Sequence, residues 1–326
     1  MKFFNKRNKQ KYVIAILIVL IGTFIGNSFE LKSKLKKHST YSLKKTNRDY
    51  NKLPIEIPED KFKPLNEFKD AELTKKLEAS ICKNTSWKNL IDHKKMSVGV
   101  VDLSDPENPK FAAINGDEMM YAASLPKIAV LLATEDALEK HEIKLSNDIK
   151  TDMRLMISKS NNQATTRLID LLGYEKIESV LTAPEYNFYD VEKGGGLWVG
   201  KRYAASGPTN REPLKNLSHA ATVDEVCRFY YLLSYGKLIS YDRSKQMLDI
   251  MENPDLHHKF VNTLNKIAPN ARLFRKSGSW KNWHSDSVLV WDNDRKYILV
   301  ALLENEGGEQ IIRDLVSPVE KALNID

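Results

Sequence analysis

Strand-like runs stand at both ends of the apolar part of this chain, and the long stretch between them reads as helix. SVGVVDL (97–103) and KFAAIN (110–115) flank a Pro-rich turn, DPENP, as a hairpin would. Strand signals return only at ARLFRKSG (271–278), SDSVLVW (285–291) and KYILVALL (296–303). Between them lie KIAVLLATEDALE, DMRLMISKS, QATTRLIDLLG and VDEVCRFYYLLSYG. Each has a helical pattern, and the last two end in glycine, as helices often do. Two early strands make no stable sheet alone, so they are expected to join the three late ones. The expected fold is α+β: a five-stranded antiparallel sheet with terminal helices and an inserted all-helical portion. Leu73, Leu77 and Ile81 recur every fourth residue and mark the first helix. A closing helix from about Glu309 should kink or break at Pro318.

Ahead of this body, Lys2, Lys6, Arg7, Lys9 and Lys11 precede the apolar run VIAILIVLIGTFIG (13–26). The run is short for a spanning helix and suits the core of a secretory signal, with Gly26 and Ser28 as a small-residue cleavage site. Residues 1–28 are therefore expected to be a cleaved signal or a retained membrane anchor, and the protein to be exported. Residues 29–65 read as a basic, solvated tether that could also attract anionic lipid or acidic wall polymer. The first 50 residues hold twelve basic and two acidic groups; the whole chain is +7, which leaves about −3 for the rest. The basic charge thus belongs to the head and tether, and no nucleic-acid partner is expected for the body. Residues 66–326 suffice for one domain, expected to be monomeric. Cys82 and Cys227 make neither a disulfide framework nor a metal spacing; two buried thiols are expected, and one bridge is allowed by export but not indicated. The seven histidines include no H-E-x-x-H, so neither metal nor cofactor is expected.

S-x-x-K occurs at Ser33, Ser42, Ser80, Ser124 and Ser234, but only Ser124 opens a long apolar helix after a strand pair. S-x-N follows as Ser160-Asn161-Asn162, and K-[ST]-G as Lys276-Ser277-Gly278 at the end of a strand signal. Three ordered elements in fitting contexts are far more specific than any one of them. A serine at a helix start has an exposed hydroxyl and an unpaired backbone N–H. Lys127, one turn on, shares its face and can take its proton if burial and the second cation, Lys276, depress the amine. The plainer readings are a surface lysine for Lys127 and helix capping for Ser160 and Asn162.

With these motifs, the chain from about residue 70 onward resembles the penicillin-recognising serine hydrolases, class A β-lactamases most closely. The resemblance implies an active site in a cleft between the sheet and the inserted helices. It implies Ser124 as nucleophile, Lys127 as base, and Ser160 as the carrier of a proton to the departing nitrogen. Asn162 would hold Lys127 and the substrate amide, and Lys276 and Ser277 would bind a substrate carboxylate. Gly278 would let the strand edge approach the ligand, and the N–H groups of Ser124 and Ser279 would form an oxyanion hole. In NREPLKN (210–216), Glu212 and Asn216 match the deacylation base and its water-holding partner, with Arg211 one place late and Leu214 one early. The plain reading of Glu212 is a solvated loop acid beside a Pro-marked turn. The interval from Ser124 to Ser160, 36 residues, is shorter than in the well-known enzymes. The expected function is an exported hydrolase that opens a β-lactam through an acyl-enzyme on Ser124. Alternatives are a peptidoglycan D-alanyl peptidase, a glutaminase-type amidase and a non-catalytic wall-binding module.

Other patterns are weaker. GGLWVGKR approximates a phosphate-binding loop but carries Arg202 where Ser or Thr is needed. His284 and Asp286 lie near enough to Ser277 in sequence to suggest a Ser-His-Asp relay, though the lysines already supply a base. Trp280, Trp283 and Trp291 are expected to pack a hairpin, with Trp280 able to reach the cleft.

Overall fold

The computed structural model describes residues 52–325. The apolar run 13–26 and most of the basic tether lie outside them. Among the described residues, no helix is long and apolar enough to cross a membrane.

The early and late strands do combine. β1 (Met96–Asp102) and β2 (Lys110–Ile114) join three strands near the C-terminus, β8 (Arg272–Trp280), β9 (Trp283–Trp291) and β10 (Lys296–Glu304). The sheet is antiparallel in the order β2-β1-β10-β9-β8, so β8 is an edge. Both faces are covered, which is why β10 is apolar along its length. Its alternate residues Leu299, Ala301 and Leu303 enter one core, while Ile298, Val300 and Leu302 enter another. The first core is closed by α1 (Ala71–Ile81), α2 (Thr85–Asp92) and two C-terminal helices. α1 supplies Leu73, Leu77 and Ile81, and Asp70 caps it by accepting from Leu73 N at 2.7 Å.

The second core lies under the helical portion, centred on α3 (Lys127–Glu139), in which residues 127–138 are all buried. A helix apolar nearly all round belongs inside a domain. Its two buried acids are paired, Glu135 with Arg243 and Asp136 with Lys176 and Tyr186. Around it pack α4 (Asn147–Ser158), α5 (Asn162–Leu172), α6 (Tyr174–Thr182) and the helix Tyr241–Met251, while α7 (Val223–Ser234) lies against β1 and β10.

One expectation needs adjustment, the break at Pro318 is met, and a set of short strands was not foreseen. The tether was expected to extend to residue 65, but Leu53, Ile55 and Leu65 are buried in the second core and Ile55 N donates to Ser234 O. The closing helix breaks before Pro318, into Gly308–Asp314 and Val316–Ala322. A proline ring collides with the carbonyl four residues earlier, here Asp314, so the break precedes it. Short strands absent from the sequence reading also appear: β3 (Met120–Tyr121), β6 (Trp198–Val199) and β7 (His219–Ala221) form a three-stranded sheet in the order β3-β7-β6, and β4 (Tyr189–Asp190) pairs with β5 (Gly195–Gly196). Both cysteines are free, Cys227 buried and Cys82 half-buried.

Candidate active site

The strand β3 delivers the chain to Ser124. Pairing with β7 continues through Ala122 N to His219 O at 2.9 Å, and the chain then turns with three-residue hydrogen bonds into α3. Ala123 sits at φ +51°, a left-handed conformation costly for a residue with a Cβ. Neighbours hold it there: Ser285 Oγ donates to Ala122 O at 2.7 Å and Tyr203 OH to Ala123 O at 3.1 Å. Ser124 N donates to no group among the described residues, and its side chain faces a cleft of about 810 Å³.

Lys127, one turn later, is 0 % exposed. Its Nζ donates to Ser160 O at 2.7 Å, Asn162 Oδ1 at 2.8 Å and, more weakly, Ser160 Oγ at 3.3 Å. Burial pushes the ammonium down to about 7, because the charged form has lost its water. Ser160 stands at φ +54° between α4 and α5. Capping of α5 falls to Asn161, whose Oδ1 accepts from Ala164 N at 2.8 Å. That leaves Ser160 and Asn162 free to face the lysine.

Lys276, 1 % exposed on β8, donates to Ser160 Oγ at 2.9 Å and Ser277 O at 2.6 Å. Burial, and then the charge of Lys127, drive it well below the ordinary lysine range. Ser160 thus bridges the two lysines, and the three motifs meet in one hydrogen-bonded chain. Gly278 touches the turn itself: a Cβ there would fall 2.4 Å from Ala122 O and 2.5 Å from Ser124 N. Trp280 and Trp283 close the two-residue hairpin, so the next pair, Ser279 and His284, is non-hydrogen-bonded. The Ser279 N–H therefore points away from β9, off the free edge of the sheet. Ser277 is buried next to Lys276, and Ser279 lines the cleft beside Ser124.

A third buried lysine gave no signal in the sequence. Lys259, 0 % exposed, reaches behind β8 to Gly278 O, to Ser279 Oγ at 2.8 Å and to Ser285 O at 3.0 Å. Burial lowers it to about 8. It belongs to no motif, and only the fold shows that it props the end of β8.

Among the described residues no hydrogen bond joins Glu212 or Asn216 to this group. Glu212 is 1 % exposed, and both carboxylate oxygens are fully engaged. Oε2 accepts from Tyr189 OH at 2.9 Å and Leu214 N at 2.8 Å, and Oε1 from Lys215 N and Leu217 N, both at 2.8 Å. Four donors saturate a carboxylate, so Glu212 is the hub of its own loop. Neither Glu212 nor Asn216 lines the cleft, and Asn216 is exposed with its carbonyl bound by Arg211. The solvated-acid reading fails as well, since Glu212 is buried. No Ser-His-Asp relay forms near Ser277: Arg275 holds Asp286 at 2.7 and 3.0 Å, and His284 Nδ1 has no partner.

The rest of the lining is aromatic and basic. Tyr121, Tyr203, Trp280 and Trp283 face it, with Lys201, Arg202, Arg211 and Lys281 and no carboxylate among the lining residues. Trp280 is 58 % exposed, so it is open to a ligand. His219 lines one wall as a neutral ring, held down to about 4 mainly by burial. Its Nε2 donates to Lys201 O at 3.0 Å, which leaves Nδ1 to accept from Ser218 Oγ at 3.0 Å.

This geometry agrees with comparisons to known proteins. A model of the beta-lactamase enzyme family matches residues 84–153 and 149–323. No curated protein matches significantly. Among solved structures, a β-lactamase from Sphaerobacter thermophilus DSM 20745 is similar with TM-score 0.60 and 17% identity, over 76% of this chain and 95% of that one. A class A β-lactamase representative from Bacteroides cellulosilyticus DSM 14838 gives 0.57 and 18%, over 79% and 100%. A structure of PBP-A gives 0.57 and 16%, over 78% and 97%. At such identities the likeness establishes the fold, and the matched model establishes the kinship. The chain belongs to the beta-lactamase enzyme family and has the fold of its class A-like serine hydrolases.

Proposed function

We propose that this protein forms an acyl-enzyme on Ser124 with substrates of the acyl-D-alanine or β-lactam type, and releases the acyl group slowly to water, as a D-alanyl peptidase does. The observation that carries the reading is the chain Lys127–Ser160–Lys276 next to a half-buried serine that lines the cleft at a helix start. A neutral Lys127 takes the proton of Ser124 as Oγ bonds to the substrate carbonyl carbon. The oxyanion that forms is met by the N–H groups of Ser124 and Ser279. As the bond from carbon to nitrogen breaks, Lys127 passes its proton to Ser160, and Ser160 gives its own to the departing nitrogen. Lys276 donates to Ser160 Oγ and makes that transfer easier.

Rapid lactamase turnover needs a base for the attacking water, and the expected base, Glu212, is consumed by its loop. That favours the peptidase over the lactamase. A non-catalytic wall-binding module has no use for lysines buried at a cost in desolvation. In this reading the protein works outside the cytoplasmic membrane, a placement supported by the basic-flanked apolar run 13–26.

The test is incubation with a chromogenic cephalosporin, followed through colour release and intact mass. A persistent adduct on the wild type, absent from Ser124→Ala while its thermal unfolding is unchanged, is the expected result. Fast colour release with no adduct would restore the lactamase, and an adduct that survives in Ser124→Ala would remove the nucleophile.

A further inference from the structure

The glycine-rich run that failed as a phosphate loop ends in Lys201-Arg202-Tyr203, and that end reaches the active site. Tyr203 lies with its ring centroid 4.3 Å from Lys127 Nζ. Its hydroxyl, kept protonated by burial, donates to Ala123 O at 3.1 Å, next to the nucleophile. The ring also packs 4.3 Å from the ring of His219. The segment is held firmly. Gly200 N donates to Ser218 O and Asn210 N to Gly200 O, both at 2.8 Å, and His219 Nε2 fixes Lys201 O. Gly200 approaches Asn210 so closely that a Cβ would fall 1.7 Å from its carbonyl oxygen.

We propose that Tyr203 is a positioning residue that keeps water off the Lys127 amine, so that the acyl group on Ser124 passes to an amine acceptor in preference to water. The inference rests on the acylation of Ser124 proposed above. An unprotonated amine has two N–H bonds and one lone pair. The short bonds to Ser160 O and Asn162 Oδ1 use the N–H bonds, and the lone pair remains for a proton. A hydrolytic water that uses Lys127 directly as its base must reach both that lone pair and the ester carbon. The Tyr203 ring occupies an approach to the amine, and Glu212, the carboxylate expected to do this work, is committed elsewhere.

An amine acceptor does not need this approach. It enters where the first amine left, over Ser160, and acylation runs backwards. The nitrogen bonds to the ester carbon and gives its proton to Ser160 Oγ. Ser160 passes its own to Lys127, and Lys127 returns one to Ser124 Oγ as the ester bond breaks. Water can take the same route, but it has no side chain or carboxylate by which the cleft can hold it.

The experiment uses the full chain, an acyl-D-alanyl thioester as donor and D-alanine as acceptor, with transfer and hydrolysis products quantified by mass spectrometry. Tyr203→Ala should lower the ratio of transfer to hydrolysis at least about ten-fold, since it lets a general base act on water. Its hydrolysis should rise with pH through the titration of Lys127, and Tyr203→Phe, which keeps the ring, should restore the ratio. If Tyr203→Ala does not fold, Tyr203→Asn takes its place with the same expected direction. An unchanged ratio in a variant that still forms the Ser124 adduct overturns the role of Tyr203 and leaves the acylation reading standing. No adduct and no thioester consumption in the wild type overturns both.

Discussion

Glu212 shows how far a residue can be read from its neighbours in sequence. Glu-Pro at 212–213 with Asn216 matches the spacing of a deacylation loop, yet the carboxylate turns inward to three backbone N–H groups and Tyr189. Spacing carries no information about side-chain direction, and Tyr189 lies 23 residues away. Glu212→Gln places an amide N–H₂ against donors, so it should cost about 1–3 kcal/mol of stability, read by thermal or denaturant unfolding. The same variant should leave the lifetime of the Ser124 adduct as it was. A marked lengthening with unchanged stability would return Glu212 to the chemistry. The residues round Lys127 were legible because their types answer a local need: a nucleophile at a helix start and a lysine one turn on; the expected help of Lys276 in lowering that lysine is not found, since burial alone does it. Lys259 was illegible, since its meeting with β8 is made only by tertiary packing.

Among the elements, the long strands and helices followed from period and length, whereas the two- and three-residue strands did not. β3, β6 and β7 are too short for any alternation, and they are the pieces that set Ser124, His219 and Tyr203 round one cleft. GGLWVGKRY therefore looked like a failed motif when its glycines serve close backbone approaches. Gly278 is the comparable point on β8, pressed against Ala122 O and Ser124 N. Gly278→Ala should push the nucleophile turn off the strand edge, costing about 1–3 kcal/mol in stability by overpacking. Acylation should fall with it, measured as the rate of adduct formation. Wild-type acylation in a stable Gly278→Ala would show that the edge does not set the oxyanion site.

At the scale of the molecule, the five-stranded sheet was readable because two early strands make no stable sheet alone and three strand signals return late, whereas the cover on both of its faces was not. The start of the body was not, because Leu53, Ile55 and Leu65 follow a basic stretch and carry no periodic signal. Net charge misleads here in a second way. The body is slightly acidic, yet the lining of the cleft holds Lys201, Arg202, Arg211 and Lys281 without a carboxylate. Adduct formation with a carboxylated β-lactam should therefore slow as salt is raised, while a neutral ester is little affected; equal salt dependence would deny the cleft this role. The acylation of Ser124 itself depends on Lys127 being a base in the folded protein. The direct measurement is the rate constant for acylation of Ser124 by benzylpenicillin as a function of pH, followed by intact mass. Below the Lys127 value of about 7 the amine is protonated and the rate should fall, towards ten-fold per pH unit; above it the rate should level off. A flat profile, or a rise that continues to about 10 as for an ordinary lysine, would contradict the buried amine as the base.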